Sequence, residues 1–367
     1  MASTWLLLER SPDGRRAPHV ARLESVGRCL PATRRTTSEV MASTRHRTKI
    51  DLEQLTGIRE RRIADGGQDS LTLAAGAAAD CLGRSRHRPE DLEAVVSCSI
   101  TKYRDGLVQW IEPPTSVAVA RAIGATRAVT FDVSNACAGM LTGVFILANR
   151  IRRGELRCGM VVSGECISQL GVNAAAHVRT VLSPELASLT LGDAGAAVIL
   201  ERAPRGGPGI EVAGFTTVSR HSRLCLAFPA RRARGARMFT RSRAIHRAAV
   251  ADMPLLLGEA LGAAGLTIAD VDFVIPHQTS VRAIRSGMGR VCEALGDTPR
   301  HHAVVTVDRY GNTASTTHFV ALAEELEAGR VRAGDRVALV ALASGLEIGL
   351  VLFTVDEELA GTYGNHR

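Results

Sequence analysis

Cys137 is the strongest candidate nucleophile in the sequence. It stands in Ser134-Asn135-Ala136-Cys137-Ala138-Gly139-Met140, after the strand end Phe131-Asp132-Val133 and before an apolar helical stretch that runs to about Arg152. That spacing predicts a cysteine at a helix N-terminus, where the dipole and free N–H groups favour a thiolate. Small neighbours leave room for a substrate. A lone cysteine is more often a packed small hydrophobe, so it needs partners before it reads as catalytic. The C-terminal half supplies two. His277 closes the strand Phe273-Val274-Ile275-Pro276, and Asn312 stands in Tyr310-Gly311-Asn312-Thr313-Ala314-Ser315 before another helix. Sulfur, imidazole and amide together suit acyl chemistry on a thioester. Cys takes the acyl group, and His and Asn donate hydrogen bonds to an enolate oxygen.

The elements that must position these residues alternate between strand and helix. A first strand begins near Val20, Gln68 to Leu82 is helical, Leu92 to Cys98 is a short apolar strand, and Pro113 to Ile123 is a helix stopped by Gly124. Arg205-Gly206-Gly207-Pro208-Gly209 is the clearest linker. The expected division is an N-terminal extension (1–19), a first half (20–205) and a second half (206–367). The two halves look duplicated. Asp91 and Asp270 each lead a turn into an apolar strand, 179 residues apart, and that offset pairs Cys98 with His277. Gly154 and Gly329 begin matching turns 175 residues apart, and that offset pairs Cys137 with Asn312. A pseudo-twofold axis would then bring the two helix starts together. The class is α/β.

Composition narrows the setting. The 367 residues are 46% hydrophobic and 22% charged, which excludes disorder as the main state. No apolar run approaches the length of a membrane span or of a signal peptide, so no membrane partner and a cytoplasmic location are expected. The eight cysteines lack metal-ligand or disulfide spacing, and no metal or redox cofactor is implied. The net charge of +8 is local: Arg223, Arg231, Arg232, Arg234, Arg237, Arg241, Arg243 and Arg247 fall in a stretch with no acid. Such a patch fits an acidic partner or phosphate groups. With only Phe228 and Phe239 interleaved, and no recognition motif, it does not point to nucleic acid.

Five segments together resemble a known family. They are Thr56-Gly57-Ile58-Arg59-Glu60-Arg61-Arg62, the Asn-Ala-Cys-Ala-Gly turn at Cys137, Leu191-Gly192-Asp193-Ala194-Gly195, Pro276-His277-Gln278 and Gly311-Asn312-Thr313-Ala314-Ser315. In this order they resemble type III β-ketoacyl-acyl-carrier-protein synthases of the thiolase superfamily. The resemblance implies a thiolase-like fold, with duplicated βαβαβ halves in five layers, αβαβα, and a homodimer. It implies acyl transfer, usually from acyl-CoA, to Cys137. Decarboxylative condensation with malonyl-acyl carrier protein then follows, with His277 and Asn312 stabilising the enolate. The N–H groups of Cys137 and Gly345 would form the acyl oxyanion hole. Arg59 matches a position near the CoA phosphates, and the Arg-rich stretch falls near the carrier-protein approach. CoA and carrier-protein thioesters enter as substrates, with no separate cofactor. Thr279-Ser280 stands where the family commonly has Ala-Asn, and a tryptophan often found before the Gly-Ile-Arg motif is absent. These departures suggest specialised fatty-acid or polyketide biosynthesis. An acyltransferase on the same scaffold is the runner-up. Ile111-Glu112-Pro113 also resembles a segment of head-to-head condensing enzymes, in which a glutamate from the neighbouring subunit is the base. Glu112 is equally an ordinary charge at a helix start. His177, His301, His302 and His318 match no motif and are read as structural or surface residues.

Overall fold

The computed structural model describes residues 6–7, 18–105, 107–231 and 233–364. Most of the expected N-terminal extension lies outside them. The sheet strands are β1 (Leu6–Leu7), β2 (Ala21–Cys29), β3 (Ala94–Ser97), β4 (Val129–Asp132), β5 (Cys158–Glu165), β6 (Ala194–Arg202), β7 (Ile210–Thr217), β8 (Phe273–Pro276), β9 (Arg336–Ala343) and β10 (Glu347–Thr354). The main helices are α1 (Ser70–Arg84), α2 (Thr115–Ile123), α3 (Gly139–Arg152), α4 (Ser242–Ala263), α5 (Val281–Leu295), α6 (Thr317–Glu327) and α7 (Glu357–Gly364). Local chemistry sets several of their ends. Asp69 accepts from the Thr72 N–H at 2.8 Å to start α1, and Ser280 accepts from the Ala283 N–H at 3.1 Å to start α5. Gly124 and Gly296 stop α2 and α5 in the left-handed conformation.

The strands form two five-stranded sheets. In the first the order is β2-β6-β5-β3-β4, and in the second β1-β7-β10-β9-β8. The β5-β3-β4 pairings and the β9-β8 pairing are parallel; the others are antiparallel. Apolar clusters fill the spaces between layers. Ala74, Ala77, Val95 and Met160 bury the outer face of the first sheet under α1 and α2. Met140, Leu147, Phe319 and Leu322, from α3 and α6, lie between the sheets against Val161, Val198, Leu339 and Val351. Leu257, Leu261 and Val291 cover the far face of the second sheet. The result is the expected five layers. The central strands β5 and β6 are buried on both faces along nearly their whole length, as strands covered by helices on each side must be. Among the described residues, no helix is long and apolar enough to cross a membrane.

The duplication is visible in detail. Pro89–Asp91 and Ile268–Asp270 are matching 3-10 turns ahead of β3 and β8. Asp91 accepts from the Arg88 N–H, and Asp270 from the Thr267 N–H, both at 2.8 Å. The offset of 179 therefore holds at the Cys98 and His277 strand ends. The pairing of Cys137 with Asn312 needs correction. The 3-10 turns Ala136–Ala138 and Ala314–Thr316 precede α3 and α6, an offset of 178. The helices then end 175 apart, because α3 has 14 residues and α6 has 11. Ser315 is thus the structural counterpart of Cys137, and Asn312 lies one tight turn earlier.

A buried ion cluster ties the chain end to the first half. Glu201 accepts from Arg22, Arg86 and His87, while Arg22 also reaches Asp356 and Glu358 at the start of α7. Burial would push the Glu201 carboxyl up, but hydrogen bonds from His87, Arg86 and Arg22 outweigh it and hold the carboxyl at about 2. The hydrogen bond to Glu201 raises the His87 imidazole against the effect of burial. The Glu201 contribution is present above the ordinary carboxylate range and lost as pH falls toward 2. The His87 contribution is present below the ordinary imidazole value and lost as pH rises through the raised one. Glu201→Gln should lower stability by about 3 kcal/mol near neutral pH, because it leaves buried cations short of a partner. Melting temperature against pH should show that loss fade in strong acid.

Candidate active site

Three local devices place Cys137. Asp132, at the end of β4, accepts from Lys102 Nζ at 2.6 Å and from the Thr115 and Ser116 N–H groups at 3.1 and 2.9 Å. It anchors the strand end to the start of α2. Ala136 then takes φ 44, a left-handed conformation that costs a residue with a Cβ about 1 kcal/mol or more, and that strain turns the chain sharply at the nucleophile. Gly139 seats the start of α3 on β3, since a Cβ there would lie 2.9 Å from the Cys98 carbonyl oxygen. Cys137 is partly buried and packs with Ile167, Leu170, Leu191 and Ala314. Burial pushes its thiol well above the ordinary value. The expected thiolate is therefore not favoured in the unliganded protein. A helix end contributes about 0.3–1 kcal/mol, which is too little to offset removal of a sulfur anion from water when no positive charge among the described residues counters it.

His277 follows β8 and is 6% exposed, with its backbone N–H on the Val340 carbonyl at 2.9 Å. Its Nδ1 is buried without a partner, and burial first, then the neighbouring His318, lowers the imidazole to about 3. The ring is neutral. A proton on Nδ1 would be an unpaired buried donor, so the proton sits on Nε2. Gln278 locks the segment behind it. Its amide donates to the Pro276 and Val304 carbonyls at 2.9 and 3.0 Å, and its oxygen accepts from Thr306 and Val307 at 2.8 and 3.1 Å.

Asn312 is held by a short bridge to the Leu191 segment. Its N–H donates to Thr190 at 2.9 Å and its carbonyl accepts from Gly192 at 3.0 Å. The side-chain oxygen accepts from the Ala314 N–H at 3.0 Å, which fixes the amide plane and leaves the NH2 group on the opposite side as a donor. Gly311 has φ 69, and a Cβ there would meet the Arg61 Cβ at 2.9 Å. Arg61, 1% exposed, donates to the Leu189 carbonyl at 2.8 Å and to Thr37 Oγ1 at 2.9 Å. The buried arginine of the Gly-Ile-Arg-Glu-Arg segment thus braces the Asn312 loop. Asp193 accepts from the Ala64 and Ser168 N–H groups at 2.8 and 2.7 Å.

These elements meet at one place. The Cys137 turn packs against the Ala314–Thr316 turn and against β9 and β10, while α6 packs on β8. Gly345, the expected second oxyanion donor, lies in the turn that joins β9 to β10. Ser315 closes the back of the site. Its hydroxyl contacts Glu165 at 2.5 Å and Ser163 at 2.7 Å, and the buried Glu165 also accepts from the Ile100 and Thr101 N–H groups.

Other expected residues lie elsewhere. Arg59 is exposed and donates to Asp308 at 2.7 Å. It does not line the basic basin described next. Glu112 is exposed beside Ile111, which is 78% exposed, and is not among the residues packed on Cys137. The Arg-rich stretch is a hairpin, Cys225–Pro229 with Ala236–Thr240, followed by α4. Arg231, Arg234, Arg241, Arg243 and Arg247 are exposed, whereas Arg237 pairs with Glu185 and lies 5.0 Å from the Phe239 ring centre. Arg232 lies outside the described residues.

Three features were not anticipated. The hairpin roofs the nucleophile, with Ala236 and Met238 packed into the Cys137 cluster. A surface basin of about 470 Å³ is lined by Lys49, Arg179 and Arg282 with Asp51, Leu55 and Val181. Arg282 is five residues after His277, in the first turn of α5, but nothing local in the sequence links it to Lys49 or Arg179. Third, His318 is fully buried, with its ring centre 5.9 Å from that of His277.

Residues 131–219 match the 3-oxoacyl-[acyl-carrier-protein] synthase III family, and residues 261–355 match its C-terminal region. The β-ketoacyl-[acyl-carrier-protein] synthase III of Symbiobacterium thermophilum is 34% identical over 304 residues, covering 80% of this chain and 86% of the relative. The structure of the 3-oxoacyl-[acyl-carrier-protein] synthase III from Aquifex aeolicus superposes with TM-score 0.76 at 24% identity, covering 91% of this chain and all (100%) of that one. OleA of Xanthomonas campestris, solved with bound lauric acid and lauroyl-CoA, superposes with TM-score 0.79 at 23% identity, covering 92% and 99%. With its thiolase-like fold, this chain belongs to the 3-oxoacyl-[acyl-carrier-protein] synthase III family of acyl-condensing transferases.

Proposed function

We propose that the chain performs a decarboxylative condensation. The Cys137 sulfur attacks an acyl thioester, and the donor thiol leaves with the proton. Malonyl-carrier protein then enters. Its Cα–carboxylate bond breaks, CO2 leaves, and the electron pair moves onto the thioester oxygen, where His277 and Asn312 donate. The resulting carbon attacks acyl-Cys137, the C–C bond forms, and the Cys137 thiolate leaves. The observation that carries this reading is the Asn312 amide, whose oxygen is engaged by Ala314 so that its NH2 is left to donate. Simple acyl transfer needs no second enolate donor. Lys49, Arg179 and Arg282 suit the phosphates of a CoA or phosphopantetheine donor. The exposed arginines Arg231, Arg234, Arg241, Arg243 and Arg247 suit an acidic carrier protein. Specialised fatty-acid or polyketide synthesis remains the pathway reading.

The test uses malonyl-carrier protein labelled at the free carboxyl, with a panel of acyl-CoAs. Released label with a 3-oxoacyl product supports the reading. Acyl-Cys137 without label release replaces it with acyl transfer or with the reaction below.

A second reading rests on Glu112. In this reading Glu112 removes an α-proton from a second acyl thioester and no CO2 is lost. Its exposure beside Ile111, and the exposed edge strand β4 with Val129 at 66%, favour a homodimer that carries Glu112 to a neighbouring Cys137. Pairing β4 with a second copy would satisfy the open edge. Val129→Arg should shift the protein from dimer to monomer in light scattering, with activity falling alongside.

A further inference from the structure

His318 was not assigned a role by its sequence, yet it sits where the reaction geometry is decided. It is the second residue of α6, the helix that leaves the Asn312 turn, and its exposure is 0%. Its Nε2 lies 3.1 Å from the Val340 carbonyl oxygen and donates to it. That same oxygen accepts the His277 backbone N–H at 2.9 Å. A carbonyl oxygen has two lone pairs, so these donors occupy it fully. One atom of β9 therefore ties together the main chain of His277 and the ring of His318. The rings are also neighbours. Their centres are 5.9 Å apart and their planes are tilted by 33°. Because Nε2 of His318 is committed as a donor, its Nδ1 presents a lone pair, and that nitrogen has no partner. The His277 Nδ1 is likewise unpartnered. Two buried imidazoles in the same tautomer thus stand side by side, one at the enolate position and one behind it.

We propose that His318 is a positioning residue: through the shared Val340 carbonyl it fixes the main chain of His277, and so holds the imidazole in the one orientation that presents Nε2–H to the reacting oxygen. This rests on the decarboxylative reading for its kinetic consequence, but not for its structural one. Hydrogen bonds to a developing charge require alignment within a few tenths of an ångström, so a loosened ring loses transition-state stabilisation before it loses substrate binding. Acylation of Cys137 uses different donors and should be spared.

Two variants separate the contacts. His318→Phe keeps a ring against His277 and removes the donor to Val340. His318→Gln keeps an N–H donor of similar reach and removes the ring. The first readout is ring nitrogen NMR of histidine-labelled protein without substrate, which is independent of the reaction. In the wild-type protein His277 should give one sharp Nε2–H tautomer. In His318→Phe its signals should broaden or split, and in His318→Gln they should stay close to wild type. The second readout compares half-reactions. Cys137 acylation should change by less than about twofold, whereas release of labelled CO2 should fall about tenfold or more in His318→Phe and recover to within about threefold in His318→Gln. An unchanged His277 spectrum in folded His318→Phe would overturn the proposal, as would equal losses in both half-reactions. If the wild-type protein releases no CO2, the decarboxylative reading fails, and the NMR comparison alone still decides the role of His318.

Discussion

Cys137→Ala should abolish covalent loading by acyl-CoA and lower overall condensation by about 10³-fold or more. Intact-protein mass spectrometry checks the first part directly. The acyl mass increment should appear on the wild-type chain and vanish from the variant. Buried Cys98 and Cys166 are poorly placed to compensate. Cys98 and Cys166 are 1% and 7% exposed, and burial raises both thiols well above their ordinary value. Cys225 is half-buried and faces Thr240 across the hairpin, Sγ to Oγ1 at 3.5 Å. The fold should survive the change, because the strained Ala136 turn and the seating of Gly139 on Cys98 do not use the sulfur. Decarboxylation of malonyl-carrier protein should also persist, since His277 and Asn312 are held by β8, β9 and the Leu191 segment. An acyl adduct that remained on the variant would place the nucleophile elsewhere. The high thiol value adds a pH expectation. Loading should accelerate as pH rises through the neutral range, because more thiolate becomes available.

What the sequence carried and what it did not follow from the range of each interaction. The Cys137 turn, the strand ending at His277 and the Asp-led turns at Asp91 and Asp270 are set by neighbours within a few residues. Their residue types therefore announced them. The alternation of strands and helices is equally local, and it led to the correct architecture. Two readings failed because the deciding contacts cross the fold. The thiolate at Cys137 followed from a local dipole, but burial under the hairpin and the Leu191 segment decides the matter. The pairing of Cys137 with Asn312 used an offset measured at the far ends of α3 and α6, and a difference of three residues in helix length moved the true counterpart to Ser315. Arg59, matched by its motif to a position near phosphates, is exposed and pairs with Asp308 in the unliganded protein. Buried Arg61 is the opposite case. A second arginine two residues on gave no hint that its stem would fill the space beside Gly311 and hold the catalytic amide. The role of His318 was unreadable for the same reason, since its partner Val340 lies 22 residues further on, in β9.

His277→Ala and Asn312→Ala should each leave Cys137 acylation near wild type and cut label release as CO2 by about 10²- to 10³-fold. Each removes one of two N–H donors from the same developing oxygen charge. The double variant should lose much less than the product of the two single losses, because a lone donor cannot align the oxygen by itself. Product analysis under saturating malonyl-carrier protein distinguishes this from weaker binding: the loss should fall on kcat rather than KM. The protonation of His277 sharpens the expectation. With its value lowered to about 3, the imidazole stays neutral down to strongly acidic pH, so decarboxylation by pre-acylated enzyme should show no limb from His277 between about pH 5.5 and 8. A limb near the ordinary imidazole value that disappeared in His277→Asn would mean that substrate opens the site and re-solvates the ring. A flat profile would mean that a neutral donor is enough. A neutral Nε2–H gives up less charge stabilisation than an imidazolium, but it cannot pass its proton to the enolate carbon. The carbanion therefore survives long enough to attack acyl-Cys137 instead of being quenched. Burial of His277, which costs the protein a partner for Nδ1, is on this account what keeps decarboxylation coupled to carbon–carbon bond formation.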